Sequence, residues 1–113
     1  MPPRSGLGEF EGVVLLVVAR LAGEGYGVTV RREIEARTGR SPALGAVYAT
    51  LERLEAKGWV RSREGEKTAV RGGRARRHFA LTAEGARALR ETRAALERLW
   101  EGLELGPARK GAR

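Results

Sequence analysis

SPALGAVYATLERLEAKGWVRSREGEKTAVRGGRARRHFALT, residues 41–82, joins two patterns that belong to different kinds of backbone. In its first part Leu44, Val47, Leu51 and Leu54 recur at the three- and four-residue intervals of a helix with one buried face. Ser41 and Pro42 offer a cap and a first-turn proline, and Gly58 the left-handed residue that stops a helix, so the spacing predicts a helix over residues 41–57. From Trp59 the period changes to two. Val60 and Ser62 fall on one face, Trp59, Arg61 and Arg63 on the other, and Phe79 and Leu81 share a face on a return strand. The loop Gly65–Gly73 is too long for a tight turn, which predicts a hairpin over residues 59–81 with a mobile, charged tip.

Opposite its apolar residues, the predicted helix carries Gly45, Ala46, Ala49 and Arg53. Three of the four have almost no side chain to hold a partner's backbone away, a surface suited to close insertion into a groove. The hairpin holds seven basic residues (Arg61, Arg63, Lys67, Arg71, Arg74, Arg76, Arg77) against two acidic ones (Glu64, Glu66), a net of +5 out of +8 for the whole chain. Charge so concentrated implies an anionic partner, and its place on a hairpin beside a bare helix favours nucleic acid over a membrane or an acidic protein.

At 113 residues, 42% of them apolar and 32% charged, the chain is long enough for one small domain. It has no cysteine and one histidine, so neither a disulfide framework nor thiolate metal ligation is available. There is no phosphate loop of the G-x-x-x-x-G-K type, and Glu33 with Glu35 and Glu52 with Glu55 sit at spacings that suit solvated helix faces better than a metal site. Catalysis is not expected, nor any cofactor or metal. The N-terminus lacks the order of a secretory signal and no apolar run approaches a membrane span, so a soluble cytoplasmic protein is the expectation.

Three more helices frame this centre. Residues 8–22 are apolar on two stripes, Phe10, Val13, Val14, Val17 and Leu21 on one and Leu15, Val18, Ala19 and Ala22 on the other. One domain of this size is expected to cover only one of them, which assigns Leu15, Val18 and Ala22, with Phe10, to a partner subunit. Gly23, Gly25 and Gly27 surround Tyr26 in a turn, and a short helix with Val30 and Ile34 one turn apart ends near Gly39. With residues 41–57 it forms a helix-turn-helix. The last helix opens at Thr82 and runs to about Leu105, its Leu89, Leu96, Leu99, Trp100 and Leu103 forming a narrow seam suited to another helix. The expected organisation is a disordered arm (1–7), a winged helix-turn-helix of the α+β, mostly helical class with a two-stranded wing (8–81), a dimerisation helix (82–105) and a disordered basic tail (106–113).

An apolar first helix beginning Gly8-Glu9-Phe10-Glu11, Tyr26-Gly27 before the second, Leu44-Gly45-Ala46-Val47-Tyr48 through Arg53-Leu54, and Gly72-Gly73-Arg74 through Thr82 and Gly85 together resemble the PadR family of winged-helix transcriptional regulators, over residues 8 to about 90. The chain departs from the pattern at Ala46, where a hydroxyl residue is common, and at His78, where an aromatic is common. The resemblance implies a dimeric repressor that binds operator DNA and docks its last helix on the partner's first. It implies DNA contact by Tyr26, Ser41, Leu44, Gly45, Ala46, Tyr48, Ala49 and Arg53, and by Arg61, Arg63, Arg74, Arg76 and Arg77 of the wing. A winged helix that serves RNA or protein binding is the alternative. Tyr48 is read as a phosphate contact at the edge of the apolar face; Arg53 either reads guanine or pairs with Glu33, Glu52 or Glu55. Trp100 is read as a dimer-core residue and a possible contact for a small-molecule effector.

Overall fold

The computed structural model describes residues 7–65 and 76–107. Four helices and a two-stranded antiparallel sheet follow in the order α1 (Glu9–Arg20), α2 (Gly27–Thr38), α3 (Leu44–Ala56), β1 (Val60–Glu64), β2 (Arg77–Leu81) and α4 (Ala83–Trp100). The strands pair from Val60 with Leu81 to Glu64 with Arg77. A bridge between Gly25 and Phe79, with the Phe79 N–H donating to the Gly25 carbonyl at 2.9 Å, fastens the sheet to the α1–α2 turn. Of the expected arm, hairpin loop and tail, residues 1–6, 66–75 (with Lys67, Arg71 and Arg74) and 108–113 lie outside the described residues, whereas Leu7, expected in a disordered arm, packs against the core.

One core holds the fold: Val14, Leu15, Val17 and Val18 of α1, Val30 and Ile34 of α2, Val47, Leu51 and Leu54 of α3, and Val60 and Phe79 of the sheet. This corrects the division of α1 into an inner and an outer stripe. Leu15 and Val18 are fully buried within one chain, because α2, α3 and β2 all pack around α1. The large apolar residue that α1 leaves outside is Leu16, 54% exposed. Nor does Ala22 extend the helix: it lies in the following turn at φ 53 and is exposed. Phe10 is half-buried, packed on the core with the Arg40 guanidinium 5.4 Å from its ring centre.

Two helix ends also differ from expectation. α3 starts at Leu44 with Ala43 as its cap. The Ser41 hydroxyl instead donates to the Glu35 carboxylate at 2.5 Å, and the Pro42 carbonyl accepts from Arg31 Nε at 2.9 Å, so the α2–α3 turn is tied down by α2 before the helix begins. α4 stops at Trp100 rather than near Leu105; Gly102 takes the left-handed conformation (φ 75), leaving Leu103 and Leu105 exposed beyond the helix. Other ends match. Gly58 follows α3 at φ 82, and the Thr82 hydroxyl accepts the Gly85 N–H at 3.0 Å while donating to the Gly58 carbonyl at 2.7 Å.

Candidate nucleic-acid interface

α2, its tied turn and α3 form a helix-turn-helix, and α3 turns its bare side outward. Gly45, Ala46 and Ala49 are exposed, and a β-carbon placed on Gly45 would meet nothing within 4 Å. Leu44 lies at the same end of the helix, 36% exposed instead of closing the core. Tyr48 is 40% exposed, and its ring rests on Gly27. Any side chain at Gly27 would overlap the Tyr48 ring carbons and hydroxyl, so the glycine after Tyr26 is the seat that fixes Tyr48 on α3. Sequence spacing marked both residues but not their contact, which only the packing of α2 on α3 creates.

The cations sort by company. Arg53 meets none of the three glutamates expected of it; its Nε lies 3.6 Å from Glu11 of α1 and an Nη donates to Thr50 at 3.1 Å. Glu11 also takes Lys57 at 3.0 Å and the Gly8 N–H at 3.0 Å. Burial disfavours its charge, but the Gly8 N–H and the Lys57 and Arg53 cations outweigh that and hold its carboxyl below the ordinary carboxylate range. Arg77 is committed to α3, 2.6 Å from Glu55 and 3.5 Å from Glu52. Arg63 donates to the Gly23 carbonyl at 3.2 Å and lies 3.5 Å from Glu24. Among the described residues Arg61 and Arg76 have no salt bridge, and Arg76 lies over the ring of Tyr26.

The wing cations therefore divide: among the described residues Arg61 and Arg76 have no carboxylate partner, while Arg63 braces the wing on the α1–α2 turn and Arg77 braces it on α3. Their counterions are Glu24, Glu52 and Glu55, residues the charge count treated as unrelated to the hairpin. His78 packs its ring edge-on to Tyr26, centroids 5.5 Å apart, and its Nδ1 is buried without a hydrogen-bond partner among the described residues.

Away from this face, α1 and α4 flank an apolar groove of about 710 Å³, walled by Leu7, Val13 and Leu16 on one side and Leu89, Leu96 and Trp100 on the other. Leu96, Leu99, Trp100 and Leu103 are 52–73% exposed, whereas Leu89 packs partly against the core. Of the residues expected to face a partner, Leu96, Leu99, Trp100 and Leu103 are exposed, whereas the groove wall opposite α4 is formed by Val13 and Leu16 of α1 and by Leu7 just before it, not by Leu15, Val18 or Ala22. In sequence Val13 falls on the inner stripe and Leu16 on neither, because an unbroken apolar run does not say which of its faces is covered.

Among the described residues no group of acidic, histidine or cysteine side chains could hold a metal, and no helix is long and apolar enough to cross a membrane. No curated protein sequence matches the chain. Solved structures do. A PadR family regulator from Eggerthella lenta DSM 2243 is 27% identical with a TM-score of 0.66, covering 84% of this chain and 82% of that one. The hsRosR-S1 complex structure is 27% identical with a TM-score of 0.70, covering 85% and 78%. The fold is also that of a PadR family transcription regulator from Clostridium difficile R20291, at 22% identity and a TM-score of 0.66 over 83% of this chain and 92% of the other. The transcriptional regulator PadR-like family model matches residues 14–91, which takes in everything from the middle of α1 to the first half of α4. The chain belongs to the PadR-like family of transcriptional regulators, a family of regulators and not of enzymes.

Proposed function

We propose that the protein is a sequence-specific DNA-binding repressor that acts as a homodimer on an inverted-repeat operator. The observation that carries the reading is the outward face of α3, where Gly45, Ala46 and Ala49 lie exposed beside Tyr48 with no bulk to hold a duplex away. A helix that bare can sink into the major groove and touch thymine methyls through Ala46 and Ala49, with register given by phosphate contacts from Tyr48 and the wing. Arg61, Arg76 and the residues 66–75 carry the wing's cationic share; Arg63 and Arg77 set its position. The groove between α1 and α4 is the surface for the second subunit, and Trp100 on its rim is where an effector would act on the pairing. Two copies related by a two-fold axis place their α3 helices on half-sites about one helical turn, or a small multiple, apart.

Selection of bound fragments from genomic DNA tests this directly. The expected result is an enriched palindromic site whose affinity falls steeply with salt, by about three to five orders of magnitude between 50 and 200 mM if a dimer makes roughly 6 to 10 phosphate contacts. Ala49→Leu should abolish preference for the enriched site by bulk alone while leaving the fold intact. Enrichment of no common sequence, or unaltered site preference in Ala49→Leu, would remove the reading.

A further inference from the structure

Two arginines stand side by side where the chain enters β2, and only one is spoken for. Arg77 is held by Glu52 and Glu55, whereas Arg76 has no salt bridge among the described residues and its guanidinium carbon lies 4.7 Å from the centre of the Tyr26 ring. That ring is itself well fixed. Tyr26 is the residue on which α2 begins: its N–H donates to the Thr29 hydroxyl at 3.0 Å, and that hydroxyl donates back to the Tyr26 carbonyl at 3.0 Å. His78 meets the ring at 75° with centroids 5.5 Å apart, and the neighbouring Gly25 is bonded to β2 through Phe79.

We propose that Tyr26 is a positioning residue whose ring holds the Arg76 guanidinium at the seam between the start of α2 and the loop end of the strand pair, ready to clasp a DNA phosphate; this rests on the DNA-binding reading above. A cation over an aromatic face is attracted through its charge, and its N–H groups at the edge stay available for phosphate oxygens. An arginine free in solvent surrenders rotamers when it binds phosphate, whereas one already lying on a ring has surrendered most of them in the unbound protein. Arg77 cannot take this part without first leaving two carboxylates. Arg76 is therefore the preorganised cation of the described wing, and Tyr26 contributes to binding through it.

The test is a double-mutant cycle with a random-sequence duplex of about 30 base pairs, since phosphate contacts carry no sequence. Arg76→Ala should weaken binding and lower the slope of log K against log[salt] by about 0.9 for each protomer's lost contact. Tyr26→Leu should weaken binding about two- to fivefold per protomer with the wild-type slope, because the charge is still present but no longer held. Tyr26→Phe should restore binding, and Tyr26→Leu should add nothing in the Arg76→Ala background. Equal losses from Tyr26→Leu in both backgrounds, or failure of Tyr26→Phe to rescue, would overturn the proposal. A second measurement needs no variant: the Arg76 side-chain protons should be shifted upfield by the ring in the free protein and should move on addition of duplex. Absence of the ring shift overturns the proposal whatever the DNA result. A ring shift in a protein that binds no duplex overturns the DNA-binding reading itself.

Discussion

α1 and α4 reverse what their sequences suggest about where each belongs. α1 is apolar on nearly every side and is wrapped by its own chain, with Leu15 and Val18 at 0% exposure. α4 is studded with charge, yet Gly85 is its one buried residue and its large side chains Leu96, Leu99 and Trp100 are 52–73% exposed. Apolar composition therefore marks a segment that will be covered, without saying by what. A sparse apolar seam on a charged helix carries more information, because a helix that can face water elsewhere keeps such a seam for a second surface.

That contrast can be broken by experiment. Replacing Leu96 and Trp100 together by Glu should have the largest effect, about 3–5 kcal/mol against self-association, since each charge would be buried without a partner in the seam. Because the core is complete within one chain, sedimentation should show a folded monomer with weak, sequence-blind DNA binding; unchanged self-association would show that α4 is not the contact. Next comes Leu15→Ala, which should cost about 2–5 kcal/mol of folding stability by leaving a cavity. Measured by denaturant unfolding, that loss should be the same in the Leu96→Glu/Trp100→Glu monomer as in the otherwise unaltered protein, and a loss that vanishes in the monomer would return Leu15 to an interface.

Smaller again is the acid dependence carried by Glu11, which ties the start of α1 to Lys57 and Arg53. Its carboxyl is depressed in the folded protein, so the stability it contributes is present above the ordinary carboxylate range and is lost as pH falls through the folded value. Glu11→Gln should flatten that acid limb of the thermal stability curve while leaving the neutral region only slightly lower; an unaltered limb would mean that other carboxylates set it. The smallest effect belongs to Tyr48→Phe, expected to cost about 1 kcal/mol in operator binding if its hydroxyl meets a phosphate, with no change in melting temperature.

How much of this was legible in the sequence depends on the range of the interactions concerned. The helices, the hairpin and the left-handed stop at Gly58 follow from local periodicity and conformational preference, and the bare side of α3 follows from the same wheel that marks Val47, Leu51 and Leu54. Charge-pair choice did not. Arg53 reaches forty-two residues back to Glu11, and Arg77 reaches Glu52 and Glu55 on another element, so the choice of Glu33, Glu52 or Glu55 for Arg53 misses the first and a charge count misses the second. Ser41 reads as a helix cap in sequence because serine before an apolar period usually is one; Arg31 and Glu35 hold that turn in a different course, and the cap passes to Ala43.

The junction at Thr82 gives this small molecule a mechanical character. Its N–H donates to the Trp59 carbonyl at 3.1 Å, while its hydroxyl joins Gly58 to Gly85, so the exit of α3 and the root of α4 are riveted at one residue. Eighteen residues of helix make a lever about 27 Å long. A tilt of roughly 10° at its pivot would sweep the far end, where Trp100 sits, through about 5 Å. In the proposed dimer the two pivots work against each other, and the distance between the two reading helices becomes a property of the stiffness of a threonine joint.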